Sequence, residues 1–495
     1  AVISESKGSF RTKPGVLPAA MFQGCKKLER VVMPAATKEV SRSCFNGCTN
    51  LKEVEIPDEA TVIGDYAFNG CSSLEAIKLP RALTTIENHA FDDCSTLAAI
   101  DLPEGVNLID VAAFKNCSAL ERINLHETQV KRIAAQTFEN CSHLTDIQLP
   151  PSVNAIDNNA FKNCTALEEA QLADALSKIG NSAFEGCSSL RTIEVQSVGE
   201  VGSDSFKDCI SLESIELNKL TKIGNSAFEG CSSLSTVTIT GNLTALPTES
   251  FAKCTSLSAV SLPSSVKTIG TRAFFECKSL AGINLPNGLT RIYDHAFENC
   301  ASLRTITIPS MVKQMGSDTF ENCTSLDSVV IKGFLEKIEN DVFRYCHSLR
   351  SITLPISVRS IGDNAFEQCT SLNTISLPIS VSNIGDDAFE QCTSLTSIVL
   401  PAACTSIGSG AFRDCITLAR VELSSSMKKI GGNAFAKCVS LRELVLGAAL
   451  PPSISHSTFK GVVTERCKVV VPKGSKNSYT EDKAWGKMTI IVEQQ

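Results

Sequence analysis

A phenylalanine followed three residues later by a cysteine recurs 19 times along the chain, from Phe22 and Cys25 to Phe435 and Cys438. Successive phenylalanines are 23 residues apart, except for one step of 24 and two of 22, and Phe459 adds a last copy without its cysteine. A fixed period of this length is typical of solenoids, in which one structural unit is stacked many times. The 495 residues are therefore expected to form one repeating stack rather than about three globular domains.

Each copy reads C-x-S-L-x-x-I-x-L-P-x-x-V-x-x-I-G-x-x-A-F, and its first half predicts a strand. In residues 372–377, Ile375 and Leu377 alternate with polar residues, as a half-buried strand requires. Pro378 then ends the strand because proline cannot donate a hydrogen bond to a sheet. A period in the twenties with L-x-x-I-x-L is a leucine-rich-repeat signature.

The second half of each copy predicts a short helical or 3₁₀ turn. Asp, Asn, Ser or Thr commonly follows the glycine position, and these are N-cap residue types. Each unit is thus expected to be one strand, a bend and one helical turn. The residues concerned are Asp65, Asn181, Ser203, Asn225, Thr271, Ser317, Asp363, Asp386 and Ser409.

Stacked units of this kind predict an α/β solenoid, a curved leucine-rich-repeat stack of about 19–20 units of 23 residues. One parallel sheet is expected on its concave side, with short helical turns on its convex side. Residues 1–21 are interpreted as a partial N-terminal repeat, 22–462 as the solenoid and 463–495 as a C-terminal cap, together one elongated domain. Within the cap we expect a strand at 467–472, a short helix at 475–487 and a strand at 488–492.

Composition disfavours several classes of protein. The 46 basic and 53 acidic side chains give a net charge of −7, which argues against a nucleic-acid-binding surface. No apolar run reaches the length of a transmembrane segment. No C-x-x-C motif occurs and the six histidines are scattered, so no metal, cofactor or catalytic group is expected, and the histidines are interpreted as variable solvent positions.

The in-register cysteines allow two interpretations. Equivalent cysteines in stacked units would lie within the Cα distance of a disulfide. Their side chains would, however, point in parallel, and the pattern favours buried thiols that act as small apolar groups. Cys44, Cys404 and Cys467 lie outside the repeat register but occupy apolar slots, so the same interpretation applies to them.

The unit resembles the leucine-rich repeats of the BspA-like family of bacterial and protist surface proteins. The copy running from Cys369 through Ile384 to Phe389 matches it closely, and the resemblance covers about residues 17–462. The tail with Tyr479 and Trp485 looks like the terminal segment of bacterial members. The resemblance implies a secreted or surface-exposed protein, some relatives of which adhere to host matrix proteins, and it carries no catalytic residues.

Function is expected at the variable positions, and strand alternation places the residues that flank the central Ile on the open face of the sheet. These positions are acidic in the N-terminal half and rich in Ser and Thr in the C-terminal half, although Ser and Thr also simply suit exposed strands. The face lacks aromatic residues, which disfavours a carbohydrate platform. The candidate ligand-binding residues are Glu53, Glu55, Asp101, Asp146, Glu169, Glu194 and Glu216.

Three successive units lack the strand-ending proline, which is replaced by Ala173, Gln196 and Asn218. Two of the repeat spacings shorten to 22 residues in the same region. A local change in curvature is expected there, and both a binding site and neutral variation remain open as its meaning.

These patterns and the family resemblance predict a non-enzymatic, monomeric, secreted or cell-surface protein that mediates adhesion or protein–protein binding. The partner is expected to be a protein, with host matrix proteins as one candidate. The alternative is a structural spacer or stalk without a specific ligand.

Overall fold

The computed structural model describes residues 15–494. They form a parallel-strand solenoid of about 20 turns of about 23 residues. The chain divides into two compact units between Leu243 and Thr244. Within each unit the same kinds of contact recur from turn to turn, because the repeat places the same residue types at the same positions.

The L-x-x-I-x-L segment forms the first strand in most repeats, as the alternation predicts. The strand predicted at residues 372–377 is wrong, because Ile375 and Leu377 are only partly buried and the segment does not pair as a strand. In the strand Thr305–Ile308, both isoleucines are buried and both threonines are exposed. Before Leu243 the first strands are Arg30–Val32, Glu53–Glu55, Ala99–Ile100, Arg122–Ile123, Asp146–Gln148, Glu169–Gln171, Thr192–Ile193, Ser214–Leu217 and Thr236–Ile239. After Thr244 they are Ala259–Ser261, Thr305–Ile308, Ser328–Ile331, Ser351–Thr353, Ser397–Val399, Arg420–Leu423 and Glu443–Leu446, followed by the cap strands Lys468–Val471 and Ile490–Glu493.

A second strand of two residues lies in the V-x-x-I segment, which the sequence did not predict. Two residues are too few to show an alternation, so only the buried Ile marks the strand. Before Leu243 these strands are Glu39–Val40, Val62–Ile63, Thr85–Ile86, Leu108–Ile109, Arg132–Ile133, Ala155–Ile156, Lys178–Ile179, Glu200–Val201 and Lys222–Ile223. After Thr244 they are Ala245–Leu246, Thr268–Ile269, Arg291–Ile292, Gln314–Met315, Lys337–Ile338, Ser360–Ile361, Asn383–Ile384, Ser406–Ile407 and Lys429–Ile430.

The pairing is parallel and keeps the register of the repeat. Thr305 lies opposite Ser328, which lies opposite Ser351. In the second strands, Lys178 lies between Ala155 and Glu200 in the same way. Each of the two compact units therefore contains two separate sets of parallel strands, one from the first strands and one from the second strands of its repeats. The sequence predicted a single sheet.

The predicted helical turns are wrong. The residues two before and two after each repeat phenylalanine from Phe22 to Phe435 have positive φ, for example Tyr66 at 56° and Gly70 at 70° around Phe68. Left-handed residues at these intervals stop the backbone from continuing as a helix. The described helices are one α-helix, Lys476–Glu481, and three 3₁₀ turns, Leu125–Glu127, Thr464–Arg466 and Trp485–Lys487.

Hydrogen bonds to the next repeat replace the missing helix. Tyr66, Phe68 and Gly70 donate their backbone N–H groups to the carbonyl oxygens of the following repeat at 2.9, 2.8 and 2.7 Å. The residue expected to be an N-cap also forms a hydrogen bond with the next repeat. Asp65 Oδ1 accepts a hydrogen bond from the backbone N–H of Asn88 at 3.2 Å. A left-handed non-glycine residue costs about 1–2 kcal/mol, and these bonds between repeats offset that cost.

Phenylalanines and cysteines form the core beneath the left-handed turns that follow the second strands, a region called the turn side below. The rings of Phe274, Phe297 and Phe320 stack in sequence, with centroids 5.3 and 5.5 Å apart. The thiols of the in-register cysteines after Cys25 donate to the carbonyl of the phenylalanine in the preceding repeat, as from Cys300 Sγ to Phe274 O at 3.2 Å. All 22 cysteines are free thiols, and 21 are buried, which confirms the buried-thiol interpretation except at Cys25.

The C-terminal cap covers the last repeat with two strands and its two largest aromatic side chains. Lys468–Val471 pairs with Glu443–Leu446, and Ile490–Glu493 pairs with Lys468–Val471. Tyr479 and Trp485 are fully buried. The Tyr479 hydroxyl donates to the carbonyl of Ala448, and the Trp485 indole N–H donates to that of Pro452, both at 2.7 Å. The strands agree with the expected cap, whereas its α-helix ends at Glu481.

Candidate functional site

All seven predicted acidic residues are exposed on the side of the first strands that faces solvent. Their buried neighbours alternate with them, as Ile147 does with Asp146 and Ala170 with Glu169. The strand pattern therefore orients these side chains as expected, while their role as a binding site stays a prediction. The residues are Glu53, Glu55, Asp101, Asp146, Glu169, Glu194 and Glu216.

Glu53 and Glu55 are already paired with a cation of the neighbouring strand. Arg30 Nε lies 3.2 Å from Glu53 Oε2, and the same guanidinium contacts Glu55. The hydrogen bond that Arg30 donates to Glu55, together with the charges of both carboxylates, raises the pKa of Arg30. These two glutamates therefore offer less free negative charge than the sequence suggests.

Glu169, Glu194 and Glu216 come together around one open depression of about 670 Å³. Thr192 and Gln196 line it as well. Glu194 and Glu216 hold the same position in successive repeats, so their backbones lie about one strand spacing apart, roughly 4.7–4.9 Å. Asp146 lies opposite Glu169 in the register and extends the acidic surface by one strand.

The depression coincides with the units that lack the strand-ending proline. Leu172, Val195 and Gln196, which lie just before or at that position, are part of its lining. Gln196 Nε2 donates to Glu216 Oε2 at 3.4 Å, a contact that a proline at position 196 could not make. The irregularity in the repeat is therefore associated with a local feature of the surface.

The first strands around the depression carry an excess of negative charge. Between residues 144 and 217, the outward positions of these strands hold six carboxylates and one cation, Arg191. Like charges on neighbouring strands destabilise a sheet, and a cationic partner would relieve that repulsion. The six carboxylates belong to Asp146, Glu168, Glu169, Glu194, Glu213 and Glu216.

A second depression of about 670 Å³ lies on the first strands after Thr244 and is uncharged except for Lys332. Gly282 stands in the register between Ala259 and Thr305, so no side chain fills the surface at that point. Asn284 and Thr307 supply amide and hydroxyl groups to the lining. The sequence predicted the hydroxyl-rich character, but the glycine that creates the space was missed.

The two turn-side histidines have acidic partners, so they are not the free solvent positions that the sequence suggested. His89 Nδ1 lies 2.8 Å from Asp92 Oδ2, and Tyr66 stacks on the imidazole with centroids 4.7 Å apart. His295 Nδ1 lies 2.7 Å from Glu298 Oε2. Burial raises the pKa of the Asp92 carboxyl. The acidic residue three positions after each histidine is the signal that was missed.

Residues 15–494 contain neither a cluster of side chains suited to a metal ion nor a helix that could span a membrane. Within that range, no group of three or more His, Cys, Asp or Glu side chains is arranged to hold a metal ion. None of the helices described there has the length and apolar character needed to cross a bilayer.

The stacked parallel strands, the 23-residue register and the buried leucines define a leucine-rich-repeat protein. The profile of the BspA type leucine-rich repeat region matches residues 16–145, 131–258, 244–350 and 336–464. The chain therefore belongs to the BspA type leucine-rich-repeat family, as the resemblance of its repeat indicated. Proteins of this family and fold are generally non-catalytic.

Solved structures of bacterial leucine-rich-repeat proteins are similar to this chain. A protein from Bacteroides ovatus is 26% identical, with 82% of this chain and 81% of that one covered and a TM-score of 0.37. A cell surface protein from Faecalibacterium prausnitzii is 26% identical over 70% and 87% of the two chains, with a TM-score of 0.38. A protein from T. pallidum is 29% identical over 35% and 78%, with a TM-score of 0.29. Among curated proteins no match is found.

Proposed function

We propose that this protein is a non-enzymatic binding protein, secreted or held at a cell surface, whose acidic depression binds a basic protein partner. The observation that carries the proposal is the grouping of Glu169, Glu194 and Glu216 around one depression, with Asp146 beside it. Positive side chains of a partner would enter the depression and replace the repulsion between neighbouring carboxylates with attraction.

The acidic residues are not needed to form the strands, which supports a functional role for them. Equivalent outward positions carry Thr236 and Thr238 in a first strand with the same register as Ser214 and Glu216. A threonine suits an exposed strand position better than a carboxylate does. The fold would therefore be retained, and local repulsion reduced, if the acidic residues were absent.

Family membership supports the proposed location and class of partner. The BspA-like resemblance implies a secreted or surface-exposed chain, and adhesion to host matrix proteins is known for some relatives. We propose the same class of partner for this chain, which would act as a monomer.

The test compares binding by two variants that lose the same amount of charge. The first carries Glu169→Gln, Glu194→Gln and Glu216→Gln, and the second carries Glu75→Gln, Glu104→Gln and Glu121→Gln, which lie outside the depression. Both are measured by surface plasmon resonance against immobilised matrix proteins and a lysine-rich peptide. We expect the first variant alone to bind about tenfold more slowly at low salt, because the steering charge is lost.

Salt provides the second readout, since exposed charges are screened within about 8–10 Å at physiological ionic strength. The wild-type association rate should fall with added salt, and that dependence should weaken in the depression variant. Equal losses in both variants would contradict a site at the depression. If no ligand shows saturable binding to the wild-type protein, the alternative of a spacer without a specific ligand gains support.

A further inference from the structure

Four successive repeats carry an exposed apolar side chain in the turn between the first and second strands. We name Met311, Phe334, Ile356 and Ile379 the turn ridge; their side chains are 53, 61, 71 and 74% exposed. The repeats are stacked at about one strand spacing, so the ridge extends over about 15 Å. Exposed apolar residues that are grouped in this way indicate an interaction surface.

The fold does not require apolar residues at these positions. The turns are closed by backbone hydrogen bonds, as from Val358 N–H to Pro355 O at 3.2 Å and from Val381 N–H to Pro378 O at 3.1 Å. These bonds need no particular side chain between the proline and the valine. The corresponding turns of several other repeats carry polar or charged residues, namely Asp58, Glu59, Arg81, Glu104, Asp174, Ser264, Ser265 and Asn287.

Phe334 departs most clearly from the rest of the chain. The phenylalanines of the repeat register, such as Phe320 and Phe343 on either side of it in sequence, are fully buried. Phe334 instead stands beside Gly333, whose hydrogen atoms face the Val312 carbonyl so closely that a Cβ would lie 2.5 Å from its oxygen. The backbone is thus held tightly against the preceding turn, while the aromatic ring is directed outward.

Positive charges flank the ridge on both sides. Lys332 holds the position of the strand-ending proline, just before the turn of its own repeat. Lys313 and Arg359 stand just after the turns of the preceding and the following repeat, at equivalent positions. All three are exposed, and in the described part of the chain none of them has a carboxylate within ion-pair distance. Glu336 occupies the equivalent position between Lys313 and Arg359, so the edge keeps a positive balance.

We propose that the turn ridge and its flanking cations attach the protein to an anionic lipid surface. Apolar side chains at the tips of turns can enter the boundary between head groups and acyl chains, while lysine and arginine stay at the anionic head groups. A two-fold contact between two copies through the ridge would bring two sets of Lys313, Lys332 and Arg359 close together, which like-charge repulsion opposes. The positive balance favours a negatively charged occupant, and a lipid surface can deform around projecting tips.

The experiment measures co-sedimentation of the full chain with phosphatidylcholine vesicles that contain phosphatidylglycerol, and with phosphatidylcholine vesicles alone. The ridge variant carries Met311→Ser, Phe334→Ser, Ile356→Ser and Ile379→Ser. The control carries Ile416→Ser and Val439→Ser, which are 45 and 48% exposed but lie in the turn before the first strand. Circular dichroism and thermal unfolding verify that both variants are folded.

We expect the wild-type chain and the control to bind anionic vesicles. The ridge variant should bind them at least about tenfold more weakly. Lys313→Gln, Lys332→Gln and Arg359→Gln together should weaken binding and remove its dependence on salt. The proposal is overturned if the wild-type chain does not prefer anionic vesicles, or if the control loses as much binding as the ridge variant. Self-association that disappears in the ridge variant, without any vesicle binding, would instead identify a contact between copies and would also overturn it.

Discussion

At the scale of single residues, a hydrogen bond from the thiol explains why cysteine recurs at a position where the repeat needs a small buried group. Cys48 Sγ lies 3.0 Å from Phe22 O, and Cys71 Sγ lies 3.3 Å from Phe45 O. A thiol is a weak donor that costs little to bury, so it can satisfy this carbonyl within an apolar core. Burial raises the pKa of Cys187 to about 12 and that of Cys48 to about 11.

Thiol accessibility follows directly from this arrangement. Buried thiols remain protonated and react poorly, so a thiol reagent should label about one cysteine per native chain, Cys25, the exposed one. All 22 should be labelled after denaturation. Counting by mass spectrometry checks the prediction, and Cys25→Ser should abolish the fast native reaction. Rapid labelling of several cysteines in the native protein would show that the thiols are not buried.

A carboxyl group on the turn side should make stability depend on pH. Burial, together with the charges of Asp318 and Glu298, raises the pKa of Glu321 to about 7, while Arg344, 3.8 Å away, opposes the increase. The folded chain therefore holds this proton more tightly than an unfolded chain would. Its stabilising contribution is complete below about pH 4.5 and is lost as pH rises through about 7.

The corresponding measurement is the unfolding midpoint between pH 5 and about pH 8. Glu321→Gln should flatten the decline of the midpoint as pH rises, because the amide does not titrate. Glu336→Gln, at an exposed position, serves as the control and should leave the decline unchanged. A decline of the same size in all three proteins would exclude Glu321 as its source.

At the scale of the structural element, the sequence predicted the strand whose apolar and polar residues alternate, and it missed the elements that depend on contacts between repeats. Ile306 and Ile308 alternate with threonines, and that alternation predicts the first strand and its faces, although the same pattern at Ile375 and Leu377 forms no strand. The helical turn was predicted from N-cap residue types such as Asp65 without knowledge of the backbone angles. Tyr66 adopts a positive φ because its N–H can bond to the next repeat, and such a contact between repeats is not visible in a local pattern.

Loss of a ring from the phenylalanine stack should destabilise several neighbouring repeats. Phe297→Ala removes contacts with Phe274 and Phe320 and should cost about 3–5 kcal/mol. Phe334→Ala provides a matched control, since the same change at a 61% exposed position should cost little. Chemical denaturation gives the free energies of unfolding, and hydrogen exchange locates the damage.

Because repeats contact their neighbours, exchange should increase most around residue 297 and decrease with distance along the chain. A uniform increase throughout the unit after Thr244 would contradict coupling between neighbours.

At the scale of the whole molecule, a regular repeat carries locally different surface chemistry. The sequence identified the acidic residues before Leu243 and the hydroxyl-rich strands after it, because outward strand positions can be read from the alternation. It did not show that Glu169, Glu194 and Glu216 would share a depression, or that Arg30 would pair with Glu53 and Glu55. Those facts depend on side-chain contacts between repeats. The turn ridge was also missed, since single exposed apolar residues have no periodic signature.

The strict register of the second strands has a consequence for how such a gene can change. Lys337, Ser360 and Asn383 follow one another at the same point of successive turns, each 23 residues after the last. Removing or duplicating a whole turn would leave every backbone group with a partner of the same kind on either side. Unequal recombination can therefore lengthen or shorten the protein in steps of about 5 Å. New binding surface can arise by copying a turn and then altering only its outward residues, with no new folding problem to solve.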